Sequence, residues 1–141
     1  MPPERPSPTE GRYHRPGEPW PLYASLEPAT VWAEWSAATR GSVDPRSERR
    51  RLWPIDVRGL PVLDLRDPTV RASLDVELTH LIGPRASAQS LAPRAKALGA
   101  QGLIVPSAAL DGAWNLVVFP EGFRRLAVGR GRNVQPRPPA R

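Results

Sequence analysis

QGLIVPSAALDGAWNLVVFPEGFRRLAV, from Gln101 to Val128, decides the fold class. Three runs within it, QGLIVPSAAL, NLVVF and FRRLAV, read as strands set off by Gly, Pro and Asp. No helix-length segment lies between them. Strands that follow one another directly argue for an α+β domain rather than a doubly wound sheet, in which each strand alternates with a helix.

Working upstream, Ser87 to Leu98 reads as a helix with Gly99 as its C-terminal cap. Before it, a helical segment starts at Asp67-Pro68, bends near Ser73 to Asp75 and runs to about Ile82, where Gly83-Pro84 stops it. Trp53 to Val57 and Val62 to Leu65 are expected to be strands around Gly59 and Pro61. RGSVDPRSERR is a charged loop. A further helix runs from Pro28 to about Thr39, with Pro28 in the first turn, Ser25 or Glu27 as its cap and Gly41 ending it. Val31, Trp32 and Trp35 make its apolar stripe, and Glu34 lies beside it. WPLYAS, Trp20 to Ser25, is a short strand leading into that helix.

The 141 residues suffice for one domain with its own core. Many of the 19 prolines crowd into MPPERPSP and VQPRPPAR. Such segments bury too little apolar surface to offset the entropy of ordering them. Residues 1–10 and 129–141 are therefore expected to be flexible tails around a body of residues 11–128. No cysteine is present, which excludes disulfides and thiolate metal sites. His14 and His80 are far apart in the chain, so a catalytic metal is not expected. No stretch approaches the ~20 apolar residues that span a bilayer, and no signal-peptide core begins the chain, which points to the cytoplasm.

The net charge is +6 and the isoelectric point near 11.1, and Lys96 is the only lysine. Such a balance favours an anionic partner without naming it. A general richness in Arg, Ala, Pro and Gly accounts for it equally well. The densest basic patch is Arg49 to Arg51, with no stacking motif beside it, so direct nucleic-acid binding is not expected.

Five short motifs remain: GRYHRPG from Gly11, PLYAS from Pro21, TVWAEW from Thr30, GLIVPS from Gly102 and NLVVF from Asn115. In this order, over Gly11 to Phe119, they resemble the RES-domain family, the toxin half of bacterial Xre–RES toxin–antitoxin pairs. The resemblance implies an ADP-ribosyltransferase-like fold, with mixed or antiparallel sheets and a few flanking helices. It also implies an enzyme that takes NAD as substrate, with no further cofactor, and breaks the nicotinamide–ribose bond. ADP-ribose then passes to phosphate (NAD phosphorylase) or water (NAD glycohydrolase), and an Xre-type antitoxin neutralises the enzyme. Homo-oligomer formation is left open.

The site residues implied by position are Arg12, Tyr23, Glu34 and Ser107, with Asn115 as a further binding residue. Arg12 would grip a phosphate. Tyr23 would orient the nicotinamide end, and Ser107 would bond a phosphate or the ribose. Glu34 would stabilise the oxocarbenium that develops as nicotinamide departs. Each has a plainer reading beside it: Arg12 a surface charge, Tyr23 a core ring, Glu34 an exposed helix charge, Ser107 a turn residue, Asn115 a strand start. Two positions depart from the family pattern. Ten proline-rich residues precede Gly11 where a strand is usual, and His14 stands where an asparagine is typical. His14 either substitutes as a hydrogen-bond donor or marks a divergent member, and the short N-terminal segment favours the alternative of a shortened, catalytically impaired RES-like domain kept as a protein-binding module.

Overall fold

A computed structural model describes residues 11–39 and 50–134. In chain order they form strand β1 (Leu22–Ser25), helix α1 (Pro28–Thr39), β2 (Arg50–Leu52), β3 (Ile55–Asp56), β4 (Val62–Asp64), α2 (Pro68–Ser73), α3 (Leu78–Ile82), α4 (Arg85–Ala97), β5 (Gly102–Pro106), β6 (Trp114–Val118), a 3₁₀ turn (Pro120–Arg125), β7 (Ala127–Val128) and β8 (Arg132–Val134). The fold is α+β. Its main sheet has the order β1-β6-β5-β4, and β2-β8 and β3-β7 form two small ribbons. β5 and β6 are antiparallel, as direct succession in sequence allows. β4 and β5 are parallel, so the chain must cross over between them, and α2, α3 and α4 make that crossover.

Successive strand residues face opposite sides of the sheet, and this alternation sorts the core. Leu103 and Val105 of β5, with Val117 of β6 and Phe119 just after it, face one side. There they pack against Leu81 of α3 and Leu91, Ala92 and Ala95 of α4. The intervening Leu116 and Val118 face the other side, against Leu60, Ile104 and Phe123. Phe119 and Val117 are essentially inaccessible, and full burial of such a side chain contributes about 1.5–3 kcal/mol.

The helix boundaries follow local chemistry. Asp67 caps α2 by accepting the Thr69 amide at 2.8 Å, with Pro68 following at the first position. The expected bend falls between α2 and α3, where Asp75 takes a left-handed conformation (φ 51°). Gly99 (φ 87°) closes α4, its amide donating to the Lys96 carbonyl at 2.9 Å. At the start of α1, the Glu27 carbonyl accepts the Thr30 and Val31 amides, while the Ser25 hydroxyl is directed to Asn115 instead of a cap.

Two expectations are corrected. FRRLAV is strand only at Ala127–Val128. Pro120 has no N–H to offer a ladder, and the chain turns there into 3₁₀ geometry, the Gly122 amide bonding the Phe119 carbonyl at 2.8 Å. Gly122 also lies against Leu60 and Gln101, where a Cβ would come within 2.7 Å of Leu60. The expected C-terminal tail of residues 129–141 does not begin at Gly129. That residue donates to the Pro54 carbonyl at 2.7 Å, and Arg132–Val134 pairs with Arg50–Leu52. A partner strand some eighty positions away satisfies a backbone whose own composition carries no strand signal. The expected tail at 1–10, the loop at 40–49, the helix end at Gly41 and residues 135–141 lie outside the described residues. Among the described residues, no helix is long and apolar enough to cross a membrane.

Candidate active site

The same alternation that builds the core places polar groups at one end of the sheet. Tyr23 and Ser25 of β1 stand opposite Val117 and Asn115 of β6, and Val105 of β5 also pairs with Asn115. Ser107, two residues after Val105, continues the same face. Over this end lies α1, held by the buried Thr30, Trp32 and Ala33, with Trp32 and Trp35 in edge-to-face contact at 6.1 Å. Glu34 thereby comes down between the strands.

One oxygen of Glu34, Oε1, accepts from the Ser107 hydroxyl at 2.7 Å and from Asn115 Nδ2 at 2.6 Å. The Ser107 oxygen in turn accepts the Ala109 and Leu110 amides, both at 3.1 Å. The Asn115 carbonyl oxygen accepts from the Ser25 hydroxyl at 2.7 Å. Ser25, Asn115, Glu34 and Ser107 therefore form one chain of hydrogen bonds that fixes the carboxylate. Such connected networks hold each member in a single orientation. No hydrogen bond from a described residue engages Oε2 of Glu34.

The Gly11–His14 turn closes the cleft from the other side. Tyr23 is half exposed along its ring, but its hydroxyl end is enclosed. The hydroxyl accepts the Tyr13 amide at 3.1 Å and lies 2.8 Å from His14 Nδ1. A Cβ on Gly11 would sit 2.6 Å from this hydroxyl and 2.5 Å from the His14 ring, so only glycine permits the approach. Burial pushes the Tyr23 phenol up to about 12, against the weaker pull of the Tyr13 amide and the Arg85 charge. At neutral pH it is an uncharged hydroxyl. Gln89 of α4 ties the turn down, its Nε2 donating to the Gly11 and His14 carbonyls at 3.0 and 3.2 Å.

Arg12 lines the same cleft but is partly committed elsewhere. Its Nη1 donates to the Leu81 and Gly83 carbonyls at 3.2 and 2.7 Å, satisfying the C-terminal end of α3. The cleft they enclose measures about 590 Å³ and is lined by Arg12, Tyr23, Ser25, Glu34, Arg85 and Asn115 with several small residues. That volume lies within the range of small-molecule sites. Ser107 stands behind Glu34 instead of in the wall. Among the described residues no group of three His, Asp or Glu side chains is placed to hold a metal ion.

All five residues singled out by sequence thus meet around one cleft. Three others went unnoticed. Ser25 stands in the PLYAS motif, where the sequence offers it, with Glu27, as a helix cap. Gln89 was legible as a polar residue on the apolar face of α4, beside Ala88, Leu91 and Ala92. Arg85, directly after the helix-starting Pro84, carried no signal of its own.

An α+β domain that fixes one carboxylate over the end of a mixed sheet, beside a Gly-Arg turn, defines the class of protein. The RES domain profile matches residues 1–136, and the chain belongs to that family. It is similar to a probable NAD(+) phosphorylase of Mycobacterium tuberculosis, with 35% identity over 129 residues, 91% of this chain and 62% of the relative. The chain thus spans about three-fifths of that relative's length. It also resembles a chain in the crystal structure of the M. tuberculosis MbcT–MbcA toxin–antitoxin complex, with a TM-score of 0.70 and 26% identity. That match covers 89% of this chain and 72% of the other.

Proposed function

We propose that this chain consumes NAD, breaking the bond between nicotinamide and ribose, and acts as the toxin of a toxin–antitoxin pair. The observation that carries the reading is the Glu34 carboxylate, held through Oε1 by Ser107 and Asn115 within a cleft of ligand size. In this reaction the C1′–N bond breaks with its electron pair going to nicotinamide, which leaves as a neutral ring and needs no general acid. Positive charge develops on the ribose, and a fixed carboxylate stabilises it where it forms. Glu34 also offers Oε2 to a ribose hydroxyl. Tyr23, a neutral hydroxyl at working pH, orients the nicotinamide end. An oxygen lone pair of inorganic phosphate then forms the new C–O bond at the same anomeric carbon, giving ADP-ribose phosphorylated at that carbon. With water as acceptor, the water oxygen forms that bond and its proton passes to solvent, giving ADP-ribose. The phosphorylase name of the M. tuberculosis relative favours phosphate. The enzyme works on cytoplasmic NAD without a metal or further cofactor, and an Xre-type antitoxin restrains it.

The test is nicotinamide release from NAD by the purified chain, with and without inorganic phosphate. Release that depends on phosphate and disappears in Glu34→Ala is expected. Full turnover in that variant removes the role given to Glu34. A chain that binds an antitoxin but releases no nicotinamide is the impaired, partner-binding domain.

A further inference from the structure

A second cleft adjoins the Glu34 cleft and shares Tyr23, Ala24, Ser25 and Val31 with it. It measures about 650 Å³, and its outer wall carries Arg51, Trp53, Arg130 and Arg132 against a single carboxylate, Glu27. Two basic segments that looked unrelated in the sequence meet here: the arginine run ending at Arg51, and Gly129-Arg130-Gly131-Arg132. The pairing of β2 with β8 joins them, setting Arg51 opposite Asn133 and Leu52 opposite Arg132.

The alternation of glycine and arginine has a steric cause. A Cβ on Gly131 would lie 2.9 Å from both Arg51 Cδ and the Trp53 ring, and one on Gly129 would lie 2.7 Å from Pro54. The glycines let the backbone press flat on this surface, and the intervening arginines contribute their side chains to the wall. Arg51 lies over Trp53, its guanidinium 5.6 Å from the ring centroid. The side chains of Arg130 and Arg132, both exposed, make no hydrogen bond or ion pair with a described residue. Trp53 is 51% exposed.

The geometry points to this groove as the seat of the adenosine diphosphate half of the dinucleotide whose nicotinamide end enters the Glu34 cleft; the inference rests on the function proposed above. One ligand can cross the shared rim at Tyr23 to Ser25 without leaving the surface. A diphosphate needs more than Arg12, whose Nη1 is engaged by the end of α3. Arg130 and Arg132 supply guanidinium forks suited to phosphate oxygens, and the Trp53 ring offers a platform for the base.

The experiment compares the full wild-type chain with R130A/R132A and with the milder R130Q, each shown by its melting curve to be folded. Calorimetric titration with ADP and with nicotinamide riboside is set beside steady-state NAD turnover. Binding of ADP should weaken about tenfold or more in the double variant and less in R130Q. Binding of the riboside, which lacks both phosphates and the adenosine, should be unchanged. KM for NAD should rise while kcat stays within about twofold of wild type. Equal ADP binding in wild type and double variant overturns the inference, as does an equal loss for both ligands or no ADP binding by the wild type. Should the variants instead lose only the binding of an antitoxin or a nucleic acid, the groove belongs to that partner and the inference fails. ADP binding that depends on Arg130 and Arg132 in a chain without NAD turnover would leave the groove assigned and refute the proposed function alone.

Discussion

In the Glu34 cleft nearly every polar side chain is answered by another, with Ser25 on Asn115, Asn115 and Ser107 on Glu34, and the Tyr13 amide and His14 on Tyr23. Across β1, in the groove of Arg51, Trp53, Arg130 and Arg132, the Arg130 and Arg132 charges stand in solvent, and the wall is held by the pairing of β2 with β8, the Arg51 bond to Asn133 and glycine backbone against the Trp53 ring. The first arrangement has its geometry set before any ligand arrives, which is what stabilising a developing charge requires. The second is adapted to gathering an anion, since exposed guanidinium groups keep their freedom and their solvation until a phosphate replaces water. Changes in the first region should therefore register in kcat and in folding stability together, and changes in the second in ligand affinity alone.

The largest test of that contrast is Glu34→Ala. Nicotinamide release should fall by about 10²–10³-fold or more, because the group that stabilises the developing charge is gone. A fall in affinity with kcat preserved would erase the distinction between the two clefts. Next comes Ser107→Ala, which removes one of two donors to Oε1 and strands the Ala109 and Leu110 amides. It should lower kcat about tenfold and cost about 1–3 kcal/mol in denaturant unfolding. Gly11→Ala should follow, displacing the Tyr23 hydroxyl and His14 ring that stand where the new methyl would be. A lower melting temperature together with slower turnover is expected, and an unaffected enzyme would show that the Tyr23 position is not critical.

The smallest effect concerns alkaline pH. Burial raises the phenols of both Tyr13 and Tyr23, the latter to about 12, so the folded chain holds these protons more tightly than the unfolded chain does. Their contribution to stability is complete below the ordinary tyrosine value near 10 and is lost as pH climbs from there through the folded values. Melting temperature should be flat to about pH 9 and then decline. Among the described residues, the Tyr13 hydroxyl is buried with no hydrogen-bond partner. Tyr13→Phe should therefore leave stability at pH 7 unchanged or slightly improved and make the alkaline decline shallower. A steep loss at pH 7 would reveal a partner for that hydroxyl.

Much of this was legible in the chain itself, for reasons that differ by element. The apolar runs of β5 and β6, the Pro28 and Asp67-Pro68 helix starts and the Gly99 cap are local, so residue type alone specified them. The five site residues were legible because their motifs stand in a recognisable order, although no single one of them was decisive. Their bonding was not legible. Ser25 sits 90 positions from Asn115, and Ser107 sits 73 from Glu34, so no local rule connects them.

The sequence by itself determined an α+β domain, the apolar runs that become its central strands, and the presence of a carboxylate, an arginine and a tyrosine near the chain's start. Tertiary structure alone decided that Arg12 caps α3, that Glu34 is held by Ser107 and Asn115, and that the Gly-Arg segment at 129–132 runs into a strand beside Arg51 instead of a tail. The physical reason is the same in each case. Periodicity and capping depend on neighbours within a turn or two, whereas a polar or charged side chain takes its role from whichever distant group the fold sets within hydrogen-bond reach.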